Sequence, residues 1–180
     1  AVQDVPCDTA QPDSLTRALT QLRHALHLTS PVVLGVPGTS TILATVNPLV
    51  VNLQRSALAV EFELQQQLPF ELDQAVWHYQ RLSSANGHSQ RTFGSSPAVI
   101  VAAMRRSLLE ERLACCRRAG LTVTAVAINP IATLNAWHAR RPSTQAEAVT
   151  LISMITEQAA EWIVGTPTSL SVVPVVSPSP

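Results

Sequence analysis

Leucines at 15, 19, 22 and 26 recur at steps of four, three and four, which is one face of a helix. A short side-chain oxygen at Asp13 or Ser14 is expected to cap its start, and Ser30-Pro31 to end it. VVLGV (32–36) is a short apolar run that reads as a buried strand, and TILATV (41–46) as a second one, closed by Asn47-Pro48. Between them PGTS (37–40) reads as a tight hairpin turn. The strongest helical signal covers 53–67, where Leu53, Ala57, Val60, Leu64 and Leu68 form a stripe with Glu63 and Gln66 off it. Pro69 stops this helix, because it disfavours helical geometry at the residue before it.

AVWHYQRL (75–82) is rich in strand-forming side chains, and SSANGHSQRTFGSSP (83–97) is a turn-rich stretch that predicts a mobile surface loop. AVIVAAM (98–104) predicts a buried strand. A helix over 105–119 follows, with Leu109, Leu113 and Cys116 inward and Gly120 supplying the left-handed exit. LTVTAVAI (121–128) predicts a strand, and Asn129-Pro130 starts a helix reaching about residue 139. VTLISMI (149–155) and AEWIVG (160–165) suit a hairpin, with SLSVVPVV (169–176) a further strand. The Ala, Glu and Gln content of 145–164 leaves a helix open there as an alternative. Such alternation predicts a mixed α/β protein.

Composition removes several function classes. The chain has 180 residues, is 46% hydrophobic and only 13% charged, so it can fill a core. Twelve basic residues, all Arg, balance twelve acidic ones, and no basic face stands out for a nucleic acid. With no Lys there is no P-loop lysine. No apolar run approaches the roughly 20 residues that span a bilayer. Three cysteines, two of them adjacent (Cys115, Cys116, with Cys7 distant), make no disulfide framework and suit a reducing compartment. The start, AVQDVP, carries neither Met nor a signal-peptide pattern and suggests a piece of something longer.

Candidate chemistry is sparse. His24 and His27 sit three apart on the first helix, but no third ligand lies near in sequence and both are expected on the solvated side; no metal site is expected. His78, His88 and His138 are isolated. Cys115 and Cys116 read as small helix-interior hydrophobes, and Arg117 and Arg118 as the cationic last turn that the helix dipole favours. Ser40 lies in GTS, which is not a nucleophile elbow, and Glu61, Glu63, Glu110 and Glu111 show no pairing. No catalytic set assembles, so no enzyme activity and no cofactor are expected from the residues.

One stretch carries a further pattern. VVLGVPGTSTILATV, followed by a helix ending FELQQQLPFELDQAVWHYQ, resembles the type IV pilus assembly proteins of the PilM family. The matching residues are Glu61, Gln65 to Leu68, Pro69, Phe70, Leu72, Asp73, Trp77 and Tyr79. AVIVAAMRRSLLEERLACCRRAGLTVTAVAINPIATLNAW is similar to that family's strand–helix–strand–helix, through Ala119-Gly120-Leu121 and Leu134-Asn135. The resemblance runs from about residue 31 to 138.

The resemblance implies an actin-like (ribonuclease-H-like) α/β lobe, akin to the cell-division protein FtsA, with a small strand–helix–strand–strand subdomain inserted. Residues 1–40 then belong to the first lobe, 41–119 to the insert, 120–141 to the lobe again, and 142–180 to a degenerate start of the second lobe with a frayed tail. In such a frame Pro69, Phe70 and Asp73 form a corner device: Pro69 enforces the stop, Phe70 and Leu72 plug the corner, and Asp73 accepts from turn N–H groups. Trp77 and Tyr79, on the strand after it, are interaction candidates.

The departures from the family pattern bear on activity. The family's first phosphate loop, Asp-x-Gly-Ser, has no match here. Its second phosphate segment places Asp and Gly where this chain has Ser153 and Ile155. Losing the carboxylate removes a contact to Mg²⁺ or water, and a β-branched residue resists the positive φ that lets Gly approach a phosphate. The resemblance therefore implies a non-catalytic scaffold, cytoplasmic and peripheral to the inner membrane. Its implied partner is a bitopic membrane protein whose short cytoplasmic peptide docks between insert and lobe, with self-association as a further property. Three alternatives stay open: a nucleotide-binding ATPase fragment, the cytoplasmic domain of a type II secretion protein, and a degenerate remnant without a partner.

Overall fold

The computed structural model describes residues 3–46, 56–81, 99–140, 150–155, 160–166 and 169–175. The expected loop at 83–97 and the connection at 142–149 lie outside the described residues, as does Leu53. Compactness divides the chain into one unit of Ala1–Val36 and Arg105–Ala127 and a second of Pro37–Met104 and Ile128–Pro180.

The first unit holds α1 (Pro12–Ala25), β1 (Val32–Val36), α3 (Arg106–Arg118) and β5 (Val123–Ile128). β1 and β5 are hydrogen-bonded neighbours, and ahead of them the Val32 N–H donates to the Thr122 carbonyl at 2.9 Å. The apolar side of this pair meets the helices: Cys116, Ala119 and Leu121 are buried, with Leu19, Leu28, Val32, Leu34 and Val123 packed on them. Val33 and Val126 point the other way and are exposed.

The two helices of this unit end alike. After α3, Gly120 takes φ 73°, its N–H donates to the Arg117 carbonyl and the Leu121 N–H to the Cys116 carbonyl, each at 2.9 Å. After α1, His27 takes φ 49°, and the N–H groups of His27 and Leu28 donate to the carbonyls of His24 and Arg23. Both are left-handed exits that satisfy otherwise orphaned carbonyls. α1 therefore stops at Ala25, on its own cap, and not at Ser30-Pro31. Its start also differs from expectation. Neither Asp13 nor Ser14 is the cap residue; Gln11 is, without a side-chain bond, and Pro12 follows at the first helical position. Ser14 instead accepts from the Asp8 N–H, 3.1 Å away.

The second unit contains two three-stranded sheets. In one, β2 (Ile42–Val46), β3 (Ala75–Arg81) and β4 (Val99–Arg105) lie in the order β2-β4-β3, and β2 pairs β4 antiparallel from Ile42↔Ala103 to Val46↔Val99. α2 (Ser56–Gln67) follows β2 in the chain, so the element order is strand–helix–strand–strand. In the other, β6 (Thr150–Ile155), β7 (Ala160–Thr166) and β8 (Ser169–Val175) form an antiparallel meander with Ile155↔Ala160 and Thr166↔Ser169 at its turns. The helical alternative for 145–164 is thereby overturned at the described residues 150–155 and 160–164: β-branched residues and register win over local Ala and Glu content. α4 (Asn129–Arg140) packs near β7, and Pro130 and Ile163 are fully buried.

PGTS is not a hairpin turn. Gly38–Ser40 form a single 3-10 turn, and the strands on either side belong to different sheets: β1 pairs with β5 and β2 with β4. Two apolar runs joined by Pro-Gly satisfy the hairpin pattern, yet each finds its partner about 60 to 90 residues along the chain. The expected insert at 41–119 spans both units, since α3 groups with α1, β1 and β5.

Candidate functional site

The stretch after β2 builds a layered module. Val60 and Leu64, one helical turn apart on α2, are fully buried against Val46, Val99, Val101 and Ala103 of β2 and β4. Burying side chains of this size is worth about 1.5–3 kcal/mol each. Ile42, Ala44, Leu68, Leu72, Trp77 and Tyr79 complete this core as half-buried neighbours.

The corner beyond α2 is compact. Leu68 still donates its N–H to the Leu64 carbonyl at 3.0 Å, and the helix ends before the exposed Pro69. Phe70 is half-buried, and Leu72 packs against the core cluster. Leu72–Gln74 form a 3-10 turn closed by the Gln74 N–H donating to the Glu71 carbonyl at 3.0 Å. Asp73 lies in that turn with an exposed side chain. β3 then begins at the buried Ala75.

Trp77 and Tyr79 turn inward. Their rings stack with centroids 6.1 Å apart and pack against the core, so the outward side of β3 is formed by His78 and Gln80. Alternation along a strand forces this division.

The outer side of α2 was missed by pattern reading. Leu58 and Phe62 are 66% and 65% exposed, and they lie one turn apart. From Leu58 to Val60 the helix turns through about 200°, so this pair sits opposite the buried stripe. Ala57, expected inward, is exposed; Glu61 and Glu63, expected in solvent, are half-buried. The helix is apolar on two sides, which a search for one stripe conceals.

Ser153 and Ile155 both lie in β6, in antiparallel register with Trp162 and Ala160 of β7. Among the described residues His27 is the one non-glycine with positive φ, so neither position has the left-handed backbone that Gly provides.

Cys115 and Cys116 are both buried, as expected of small hydrophobes in a helix interior. The Cys115 thiol donates to the Pro12 carbonyl at 3.5 Å, and Arg118 donates to the Cys115 sulfur and to the Thr16 hydroxyl. Burial, with a smaller contribution from neighbouring Cys115, pushes the Cys116 thiol above its ordinary pKa. That is the reverse of an activated nucleophile. Among the described residues no three His, Cys, Asp or Glu side chains converge to hold a metal, and no helix is long and apolar enough to cross a membrane.

A family model for the type IV pilus assembly protein PilM matches residues 3–164, nearly the whole chain. The chain belongs to the PilM family. Among solved structures it is similar to a PilM-PilN type IV pilus biogenesis complex, with a TM-score of 0.78 and 22% identity over 96% of this chain and 53% of that one. It is also similar to the cytoplasmic domain of EpsL, an inner membrane component of the type II secretion system of Vibrio cholerae. There the TM-score is 0.60 and the identity 17%, over 88% of this chain and 56% of that one. No curated protein matches. The fold is thus mixed α/β, a piece of an actin-like lobe, and the chain spans little more than half the length of either solved relative.

Proposed function

We propose that this PilM-family chain is a non-catalytic scaffold in type IV pilus assembly, working at the cytoplasmic face of the inner membrane and binding the cytoplasmic segment of a bitopic membrane partner. The observation that supports the reading is a family match that runs through β6, where the resemblance puts Ser153 and Ile155 in place of the family's acidic residue and glycine. A hard cation such as Mg²⁺ is held by carboxylates, waters and phosphates, and Ser153 supplies no charge to it. Ile155 cannot offer the close backbone approach that a polyphosphate needs. What remains is surface, and one solved structure that the chain resembles is a PilM-PilN type IV pilus biogenesis complex.

In this reading the strand–helix–strand–strand module of β2, α2, β3 and β4 is the inserted subdomain, and Pro69, Phe70 and Asp73 fix its corner. The experiment has two arms. The first measures capture of a synthetic peptide copying the cytoplasmic segment of a candidate bitopic pilus-assembly protein from the same genome. The second titrates Mg-ATP into residues 1–180. Peptide capture without nucleotide binding is expected. Micromolar Mg-ATP affinity or measurable turnover by this polypeptide would overturn the non-catalytic reading.

A further inference from the structure

Folding gathers positive charge that the chain keeps far apart. Arg118 donates from Nη2 to the hydroxyl of Thr16, 102 residues away in sequence, at 3.2 Å. The Cys115 thiol donates to the Pro12 carbonyl at 3.5 Å, so the last turns of α3 lie along the first half of α1. Farther along α1, Arg23 reaches the turn that ends α3: its Nη1 would stand 2.6 Å from a carbon added to Gly120. Arg17 follows Thr16, and Arg117 precedes Arg118. Four guanidinium groups thereby share one end of the helical layer. Arg17, Arg117 and Arg118 are exposed there, and Arg23 is half-buried.

Little balances this charge. No Asp or Glu occurs from residue 14 to residue 36 or from 112 to 127. Of the carboxylates that bound these stretches, Asp13 lies one turn before Arg17 and offsets that residue alone. Glu110 and Glu111 precede Arg117 and Arg118 by seven residues, about 10 Å along the helix. The bonds that the described residues give Arg17 and Arg118 go to a carbonyl, a hydroxyl and a sulfur, and none goes to a carboxylate. Apolar anchors are missing too. Among the described residues the exposed large hydrophobics are Val33, Leu58, Phe62, Val126, Trp137 and Leu151, and none is on α1 or α3. Neither helix carries Phe, Trp or Tyr.

We infer that this end of the α1–α3 layer is a contact surface for the anionic face of a phospholipid bilayer. Guanidinium groups pair with phosphate through two parallel N–H donors, and a polybasic surface is held to acidic lipids by charge alone. Other anionic partners fit less well. A protein interface, with a second copy or another chain, is held by aromatic or aliphatic anchors at its centre. A single-stranded nucleic acid is held by stacking on aromatic rings. This surface offers neither, and the zero net charge of the whole chain also argues against nucleic acid. The inference makes no use of the bitopic partner; it gives the chain a membrane contact of its own.

Cosedimentation of the whole chain with phosphatidylcholine vesicles, with and without phosphatidylglycerol, tests it. Binding is expected only where phosphatidylglycerol is present, and it should fall steeply as salt is added. Each arginine removed should weaken binding about fivefold, so R17Q/R117Q should lose more than about tenfold. R17K/R117K keeps the charge and should keep the binding. R140Q removes an exposed arginine of α4 outside the surface and should behave as wild type. Arg17 bonds within its own helix and Arg117 is exposed, so R17Q/R117Q should melt where wild type does.

Equal binding by wild type and R17Q/R117Q, a loss in R140Q as large as in R17Q/R117Q, or no preference for phosphatidylglycerol overturns the inference. Poly(U) RNA that displaces the vesicles through the same arginines assigns the surface to nucleic acid, and also overturns it. Each of these outcomes leaves the scaffold reading standing, since that reading is tested by peptide capture. Vesicle binding as expected, with no peptide captured, overturns the scaffold reading instead.

Discussion

His27 and Gly120 occupy the same structural position, the first residue past a helix C-cap, with opposite consequences for substitution. A left-handed backbone costs an ordinary residue about 1–2 kcal/mol, and glycine almost nothing. His27→Gly should therefore stabilise the protein by about 1 kcal/mol, read as a higher urea midpoint at unchanged m. Gly120→Ala should destabilise it by about 1–2 kcal/mol. The added carbon would also sit 2.6 Å from Arg23 Nη1, but that is the end of a flexible side chain and can move, so φ decides the sign. Cysteines give a second pair of expectations. Cys7 is half-buried while Cys115 and Cys116 are buried, so one thiol should react quickly with a disulfide reagent and two only on unfolding. Folding raises the Cys116 pKa from its ordinary value of 9.0, so the folded state holds that proton more tightly. Its contribution is then complete below about pH 9 and is lost as pH climbs through the raised value. A melting-temperature profile should fall above pH 9, and Cys116→Ala should flatten the fall.

α2 is the element that most repays comparison of its two sides. Leu64 is fully buried among Val46, Val60, Val99 and Val101, and Leu64→Ala should cost about 2–5 kcal/mol through lost transfer energy and a cavity. Phe62, two positions away and 65% exposed, should tolerate Ser within about 0.5 kcal/mol. Chemical denaturation of both variants checks the contrast, and a large loss for Phe62→Ser would mean that this side is covered. β3 follows the same logic in two-residue steps. Trp77 and Tyr79 face the core, so their replacement by Ala should unfold the sheet before it disturbs any docking, whereas His78 and Gln80 are open to exchange. At the corner, the 3-10 turn at Leu72–Gln74 and the half-buried Leu72 carry the reversal that Pro69 begins.

At the scale of the molecule, the proposed binding role turns on whether β6 can contact a nucleotide. β6 carries Ser153 and Ile155 in an antiparallel ladder, and the described residues bring no three metal-binding side chains together. On the proposed non-catalytic reading, replacing Ser153 with Asp and Ile155 with Gly tests whether these two positions bear on nucleotide binding. On the proposed reading S153D/I155G alone should not create measurable Mg-ATP affinity, since a phosphate cradle is built from several backbone N–H groups of a loop and not from one strand position. Isothermal titration reads the outcome, and micromolar affinity in the double variant would place the whole defect at these two residues.

Much was legible in the chain because its signals are local. Period-two and period-3.6 apolar patterns located most strands and helices, Gly120 announced its own left-handed backbone, and the Pro-Phe corner with its flanks pointed to the PilM family that the match over 3–164 establishes. What the sequence left open depended on partners far away along the chain. Whether VVLGV and TILATV pair with each other or with β5 and β4, and whether the described part of 145–164 is helix or meander, are decided by competing long-range contacts. Local propensity differs between such alternatives by fractions of a kcal/mol per residue, while burying one Leu or Val contributes several times that. Tertiary packing therefore made those choices, and in making them it left Leu58 and Phe62 at the surface.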